Sequence, residues 1–261
     1  MDLSTLPLLS YTEAEAFISG KAGKVQNDAE VALESKDWSW VTRGSPTFVM
    51  RLLACLRKLL HLGERGSLRH KTEETELPAP NIRLHEGDLV ADDLDVDCEC
   101  LIVNGNLHVK GLLATGRGGD ENVLIVLGDA HIGRYSSWCT YTIIRGNLTA
   151  RHIVTNSLND LYFAVGGNLE AESFADFGEA VVIHGNFKAR VLINREQNIE
   201  VVGDQQIEIS VGSPYRNPKL RGLIKEELLT EEKDEDGEIY PGIDEKAYRN
   251  ALEQNRSPFI A

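Results

Sequence analysis

The clearest pattern along the chain is an alternation of apolar and polar positions on both sides of a recurring Gly-Asn or Gly-Asp pair. The glycines are Gly87, Gly105, Gly128, Gly146, Gly167, Gly185 and Gly203, at intervals of 18, 23, 18, 21, 18 and 18 residues. Two residues after each glycine come Leu89, Leu107, Ala130, Leu148, Leu169, Phe187 and Gln205, and four after it Ala91, Val109, Ile132, Ala150, Ala171, Ala189 and Ile207. Two residues before it stand His85, Val103, Val126, Ile144, Val165, Ile183 and Val201. Apolar columns spaced by two are the mark of strands with one face inward. Repetition at such a period means a solenoid, in which each unit buries its apolar face against the next. The expected fold is therefore mainly β, a parallel β-solenoid (β-helix) of about seven coils over residues 81–212. Five residues after the glycines, Asp92, Lys110, Gly133, Arg151, Glu172, Arg190 and Glu208 predict an outer ladder of mixed charge, with strands about 4.8 Å apart. The corner glycines are read as backbone conformations that larger side chains resist. The longer coils carry extra residues near 114–122 and 156–160, which predict surface loops.

Outside the repeat the period changes. Residues 1–80 read as a helical N-terminal region and linker. Thr12 and Glu15 form a candidate capping box ahead of Ala14, Phe17 and Ile18. Ser45, Pro46 and the apolar positions Phe48, Val49, Leu52, Leu53, Leu56, Leu59 and Leu60 predict an amphipathic helix over 46–62, closed by Gly63. Its apolar face is expected to cap the first coil, because an uncovered sheet edge invites another molecule to add on. At the other end Gln205 breaks the apolar column, as a terminal coil would. Residues 213–261 read as an acidic C-terminal tail, with short helices expected over 219–230 and 244–254. A solenoid sealed at both ends would be a discrete unit, whereas a bare last rung would suit a polymer subunit.

Composition adds charge to this picture. The 261 residues hold 27 Lys and Arg against 41 Asp and Glu, a net charge of −14. Without a basic patch, nucleic-acid binding is not expected. No positively charged region precedes the leucines of residues 3–9, so no signal peptide is read there and the expected location is cytoplasmic. The most apolar window, residues 48–62, is interrupted by Arg51, Arg57 and Lys58 and is too short for a membrane span. Cys55, Cys98, Cys100 and Cys139 lack paired spacing and read as free buried thiols.

The coils VNGNLHV at 103–109, IRGNLTA at 144–150 and VGGNLEA at 165–171 resemble those of the bactofilin, or polymer-forming cytoskeletal, family. The helical head, unequal coils, closing KARVLI run at 188–193 and acidic tail resemble a bactofilin-like group often encoded beside bacterial polymorphic toxins. The likeness of the repeat covers residues 82–211, about half the chain. It implies an immunity protein that binds a cognate toxin and blocks it by occlusion. The head, the unequal coils and the tail depart from true bactofilins and point to a monomer or small oligomer rather than a filament.

Candidate chemistry is sparse. His108 and His131 share a column and suit a two-histidine metal or acid–base site, but the repeat places no third ligand. The run 92–100 alternates Asp95, Asp97 and Glu99 with Leu94, Val96, Cys98 and Cys100, which is a solvated strand face rather than a calcium loop. TGRGGD at 115–120 lacks the lysine and spacing of a phosphate loop. Arg134, Tyr135, Trp138 and Tyr141 have the residue types of an interface hot spot, although such aromatics also suit a solenoid corner. Asp234, Glu235 and Asp236 in the tail would meet a basic toxin or simply be solvated. The sequence thus predicts no catalytic residue, cofactor or metal, and a basic protein toxin as partner. The alternatives are a self-assembling scaffold, or a β-helical enzyme acting on a sugar or acyl substrate.

Overall fold

The computed structural model describes residues 2–10, 13, 14, 16, 17, 81–117, 122–138, 140–155, 162–194, 199–233 and 236–260. It is mainly β, a parallel solenoid of about six turns between seven strand pairs. A short strand β1 (Leu8–Leu9) comes first. The coils then follow as β2 (Ile82–Glu86) with β3 (Leu89–Ala91) and β4 (Leu94–Val96), and β5 (Cys100–Asn104) with β6 (Leu107–Thr115). Next come β7 (Asn122–Val126) with β8 (Ala130–Ser137), β9 (Thr140–Ile144) with β10 (Leu148–Val154), and β11 (Tyr162–Val165) with β12 (Leu169–Asp176). The last coils are β13 (Ala180–Ile183) with β14 (Phe187–Asn194) and β15 (Ile199–Val201) with β16 (Gln205–Val211). The first strand of each coil joins sheet one and the second joins sheet two, with parallel pairing from coil to coil. The apolar columns stack as the sequence predicts. Leu148 sits between Ala130 and Leu169, and Val165 between Ile144 and Ile183.

The core is the space between the sheets. Leu107, Leu148, Leu169 and Phe187 enter it from sheet two, and Val126, Ile144, Val165 and Ile183 from sheet one. Phe163, Phe174 and Phe187 form an edge-to-face series, with centroids 5.8 and 5.6 Å apart, the offset geometry that aromatic quadrupoles favour. Ala150 and Ile153 both enter the core although they are three residues apart. Strict alternation forbids that, so each strand of sheet two turns a corner there, at the position where the pairing skips Arg151 and Glu172.

The corner glycines hold for a different reason from the one the sequence suggests. Of the seven, only Gly87 has a left-handed backbone, with φ 85°. At Gly128, Gly146, Gly185 and Gly203 a Cβ would instead stand within 2.8 Å of the preceding corner's backbone. The corners approach that closely because their N–H groups bond upward, Gly146 to the Gly128 carbonyl at 3.0 Å and Gly185 to that of Gly167 at 2.9 Å. The following Asn or Asp has its own task. Oδ1 of Asp88, Asn106, Asp129, Asn147, Asn168 and Asn186 accepts the backbone N–H of the next such residue at 2.7–2.9 Å. A small residue followed by a short acceptor is therefore required once per coil.

The ends differ from the expectation. No α-helical cap is seen at the N-terminus among the described residues, where an extended segment lies against β2: β1 pairs with it antiparallel, and Arg83 donates to the Ser4 and Leu6 carbonyls. Leu3 enters the core. Ser10 and Glu13 form a capping box ahead of helical residues at 13, 14, 16 and 17, where a short helix is expected, and Thr12 and Glu15 lie outside the described residues. Residues 46–62 and both predicted insertion loops, apart from the strand and turn at 114–117, also lie outside them. Among the described residues the last rung is bare. β16 is mostly exposed, Val202 and Ile209 are 54% and 40% exposed, and all of β15 is half-buried.

Residues 213–260 are not a solvated tail, because an apolar set folds them against the outer flank of sheet two. Leu220, Ile224, Leu228, Ile243, Tyr248, Leu252 and Phe259 pack onto Val154, Ala175, Ile193 and Val211. The segment holds two 3-10 turns (Pro218–Gly222 and Glu226–Leu228), a hairpin of β17 (Leu229–Lys233) and β18 (Ile239–Ile243), and a helix α1 (Glu245–Glu253) capped by Asp244. The helix predicted at 219–230 is thus two 3-10 turns leading into a strand, and the one at 244–254 is present.

Candidate binding surfaces

Three places on the described residues gather chemistry. The first is a groove of about 880 Å³ on the outer face of sheet two, beside the corner. Its walls are the predicted charge ladder, with Lys110 on Asp92 at 2.8 Å, and Glu172 between Arg151 at 3.1 Å and Arg190 at 3.3 Å. Lys188 meets Glu170 at 2.6 Å in the neighbouring column. These pairs are exposed and hold the face in register without much stabilising it. His108 and His131 stack with centroids 5.1 Å apart and planes 6° apart. Among the described residues no group of three or more His, Cys, Asp or Glu is placed to hold a metal. The pair lies on the outer face with its neighbours, His131 exposed and His108 half-buried. Asp95, from the acidic run, bonds Arg117.

The second place is where α1 docks, and it gathers two of the four residues read as a hot spot, Arg134 and Trp138. Arg134 donates to the Leu252 carbonyl at 2.8 Å and that of Glu253 at 3.2 Å, satisfying the open end of α1. Trp138 Nε1 and Ser136 Oγ donate to Glu253 Oε1 at 2.8 and 2.9 Å, while Arg117 reaches Oε2 at 2.9 Å. Arg249, fully buried, lies over the Trp138 ring at 5.0 Å and donates to the Ser137 and Thr155 carbonyls and to Glu245. Tyr135 is buried, its hydroxyl between Thr115 and Thr142, and burial pushes its pKa up to about 12. Tyr141 is buried in sheet one. The residue types of an interface were legible, but Arg134 and Trp138 hold the chain's own C-terminal segment. Of the tail carboxylates, Asp236 is exposed; Asp234 and Glu235 lie outside the described residues.

A pH-sensitive contact borders the same segment. His152 is buried, with Nδ1 2.9 Å from Ser173 Oγ and its ring 6.2 Å from Phe259, which Arg190 also faces. Burial lowers its pKa from the ordinary 6.5 to about 4; Arg151, Arg134 and Arg190 push the same way and Glu172 opposes them. The unfolded chain therefore binds this proton more readily than the folded one. Stability is full above pH 6.5 and falls as the pH drops towards 4, by on the order of 3 kcal/mol. Urea titrations across that range should show the fall, and His152→Gln should flatten it; an unchanged slope would rule out His152 as its source.

The third place is the last rung, β15 and β16. The two cysteines among the described residues offer nothing reactive: burial pushes Cys98 up to about 12 and raises Cys100 well above the ordinary thiol value, so both remain thiols at neutral pH. No helix among the described residues is long and apolar enough to cross a membrane. The chain matches no family model, no curated protein and no solved structure.

Proposed function

We propose that the chain is a non-catalytic binding protein, an immunity protein that holds a cognate basic toxin and neutralises it by occlusion. The observation that carries this reading is the asymmetry of the two ends. Among the described residues, β1 occupies the outer edge of the first coil in sheet one, while β15 and β16 are left open. A rod that stacks on itself needs its first rung free, so β1 hinders propagation through sheet one at that end and leaves the last rung to a partner. The net charge of −14 suits fast capture of a basic protein, with affinity resting on a few desolvated contacts. Co-expression with a toxin encoded beside it is expected to protect the cell, and the two purified proteins to elute as one complex. Continued killing with no complex would end the reading.

A second reading, a self-assembling scaffold of the bactofilin kind, is favoured by the exposed Val202 and Ile209 on the bare rung. Sedimentation that depends on concentration would support it, and a monomer at every concentration would remove it.

A further inference from the structure

The bare rung carries charge of one sign. Residues 199–211 contain Glu200, Asp204 and Glu208 and no Lys or Arg. The two corner ladders stop here. Asp204 donates its N–H to Asn186 Oδ1 and Gly203 its own to the Gly185 carbonyl. The Asp204 carboxylate and the Gly203 carbonyl thus stand where their counterparts on inner coils accept a bond from the next coil. Beside them the column of buried Val191 continues into Ile209, which is 40% exposed.

We propose that this rung is a docking edge for an extended basic strand of the protein partner, which adds to β15 and β16 as an eighth layer. The inference rests on the partner-binding reading above and names how the partner is held. An open parallel edge presents N–H and C=O groups in the spacing a strand matches, so main-chain bonds supply the affinity. Lysines or arginines on that strand meet Asp204 and Glu208, and its apolar side chains pack beside Val202 and Ile209. A second copy of this chain fits less well. Two such rungs meeting face to face bring Asp204 and Glu208 against the same carboxylates of the second copy, and like charges opposed across strands repel. Stacking head to tail requires the edge of β2, where β1 already pairs.

The test uses the full chain and two synthetic peptides, one alternating Lys with Val and one alternating Glu with Val. The basic peptide is expected to slow hydrogen exchange of the amides in 199–211, and the acidic one to leave it unchanged. A chain carrying Val202→Lys and Ile209→Lys, both at exposed positions, should bind the basic peptide at least tenfold more weakly. Equal protection by both peptides, or none by either, overturns the proposal. So does slow exchange of these amides in the free chain together with sedimentation as a dimer, which would give the edge to a second copy. The whole toxin separates the two levels of argument. Equal binding of the toxin by the parent and the double variant would sink the docking edge and leave the immunity reading standing. Binding of the basic peptide with no binding of the toxin would do the reverse.

Discussion

Gly185→Ala is expected to destabilise the protein by about 3 kcal/mol or more, although it adds a single methyl group. The Cβ would stand 2.6 Å from the Gly167 carbonyl carbon and oxygen and equally close to Asn168 Oδ1. Those atoms cannot retreat, because Gly167 is itself bonded to Gly146 above it and Asn168 to the Asn186 N–H. Making room means stretching both corner ladders at once, over a core already filled by Phe187 and Leu169. The φ of Gly185 is not left-handed, so backbone preference adds nothing to the effect. Gly222→Ala is the control. A Cβ there meets nothing within 4 Å, and its effect should stay within about 0.5 kcal/mol. Urea unfolding of the two variants compares them directly. Equal midpoints would mean that the corner glycines are not held by lack of space.

Arg249→Ala should destabilise by about 3–5 kcal/mol, the usual result of breaking a buried, hydrogen-bonded charge pair. The guanidinium joins the Ser137 and Thr155 carbonyls of two successive coils to Glu245 of α1 and covers the Trp138 ring. Truncation leaves two carbonyls without this donor and Glu245 without its cation, so the loss is concentrated where the C-terminal segment docks. Limited proteolysis should then cut within 213–260 first and leave the solenoid whole. Lysine supplies a point charge without the planar fork, so Arg249→Lys should recover only part of the loss. Arg221, about half exposed and 3.7 Å from Glu231, provides the comparison; its replacement by alanine should change stability by less than about 0.5 kcal/mol. A similar response at both sites would argue that Arg249 does not clasp the segment.

Much of the fold was legible because the repeat writes the same geometry seven times. Columns such as Val126, Ile144, Val165 and Ile183 reinforce one another, and mixed charge five residues after each glycine matched the observed ion pairs. The reason for the glycines was not legible, since a sequence does not distinguish a residue that needs an unusual φ from one that needs an empty space. Features that occur once were harder. Tyr135 and Arg134 are adjacent in sequence, yet one faces the core and the other the docked helix, because strand alternation sends neighbours to opposite sides. In residues 213–260, Leu220, Ile224 and Leu228 recur every four residues and read as a helix, whereas they sit on and between two 3-10 turns, and the surrounding glutamates made a packed segment look like a solvated tail.

The corner ladders bear on how such a rod changes length over evolutionary time. In both ladders each coil donates its corner N–H groups to the preceding coil and accepts from the following one, so a gene duplication of eighteen residues spanning Gly87 to Gly105 would slot in with its bonds already matched. From Arg117 onward the C-terminal clasp touches coil after coil up to Val211, and an inserted copy there would pull Arg249 and Phe259 out of step with their partners. Lineages descended from this chain should therefore gain or lose coils near the amino-terminal end, while the clasped stretch keeps its count.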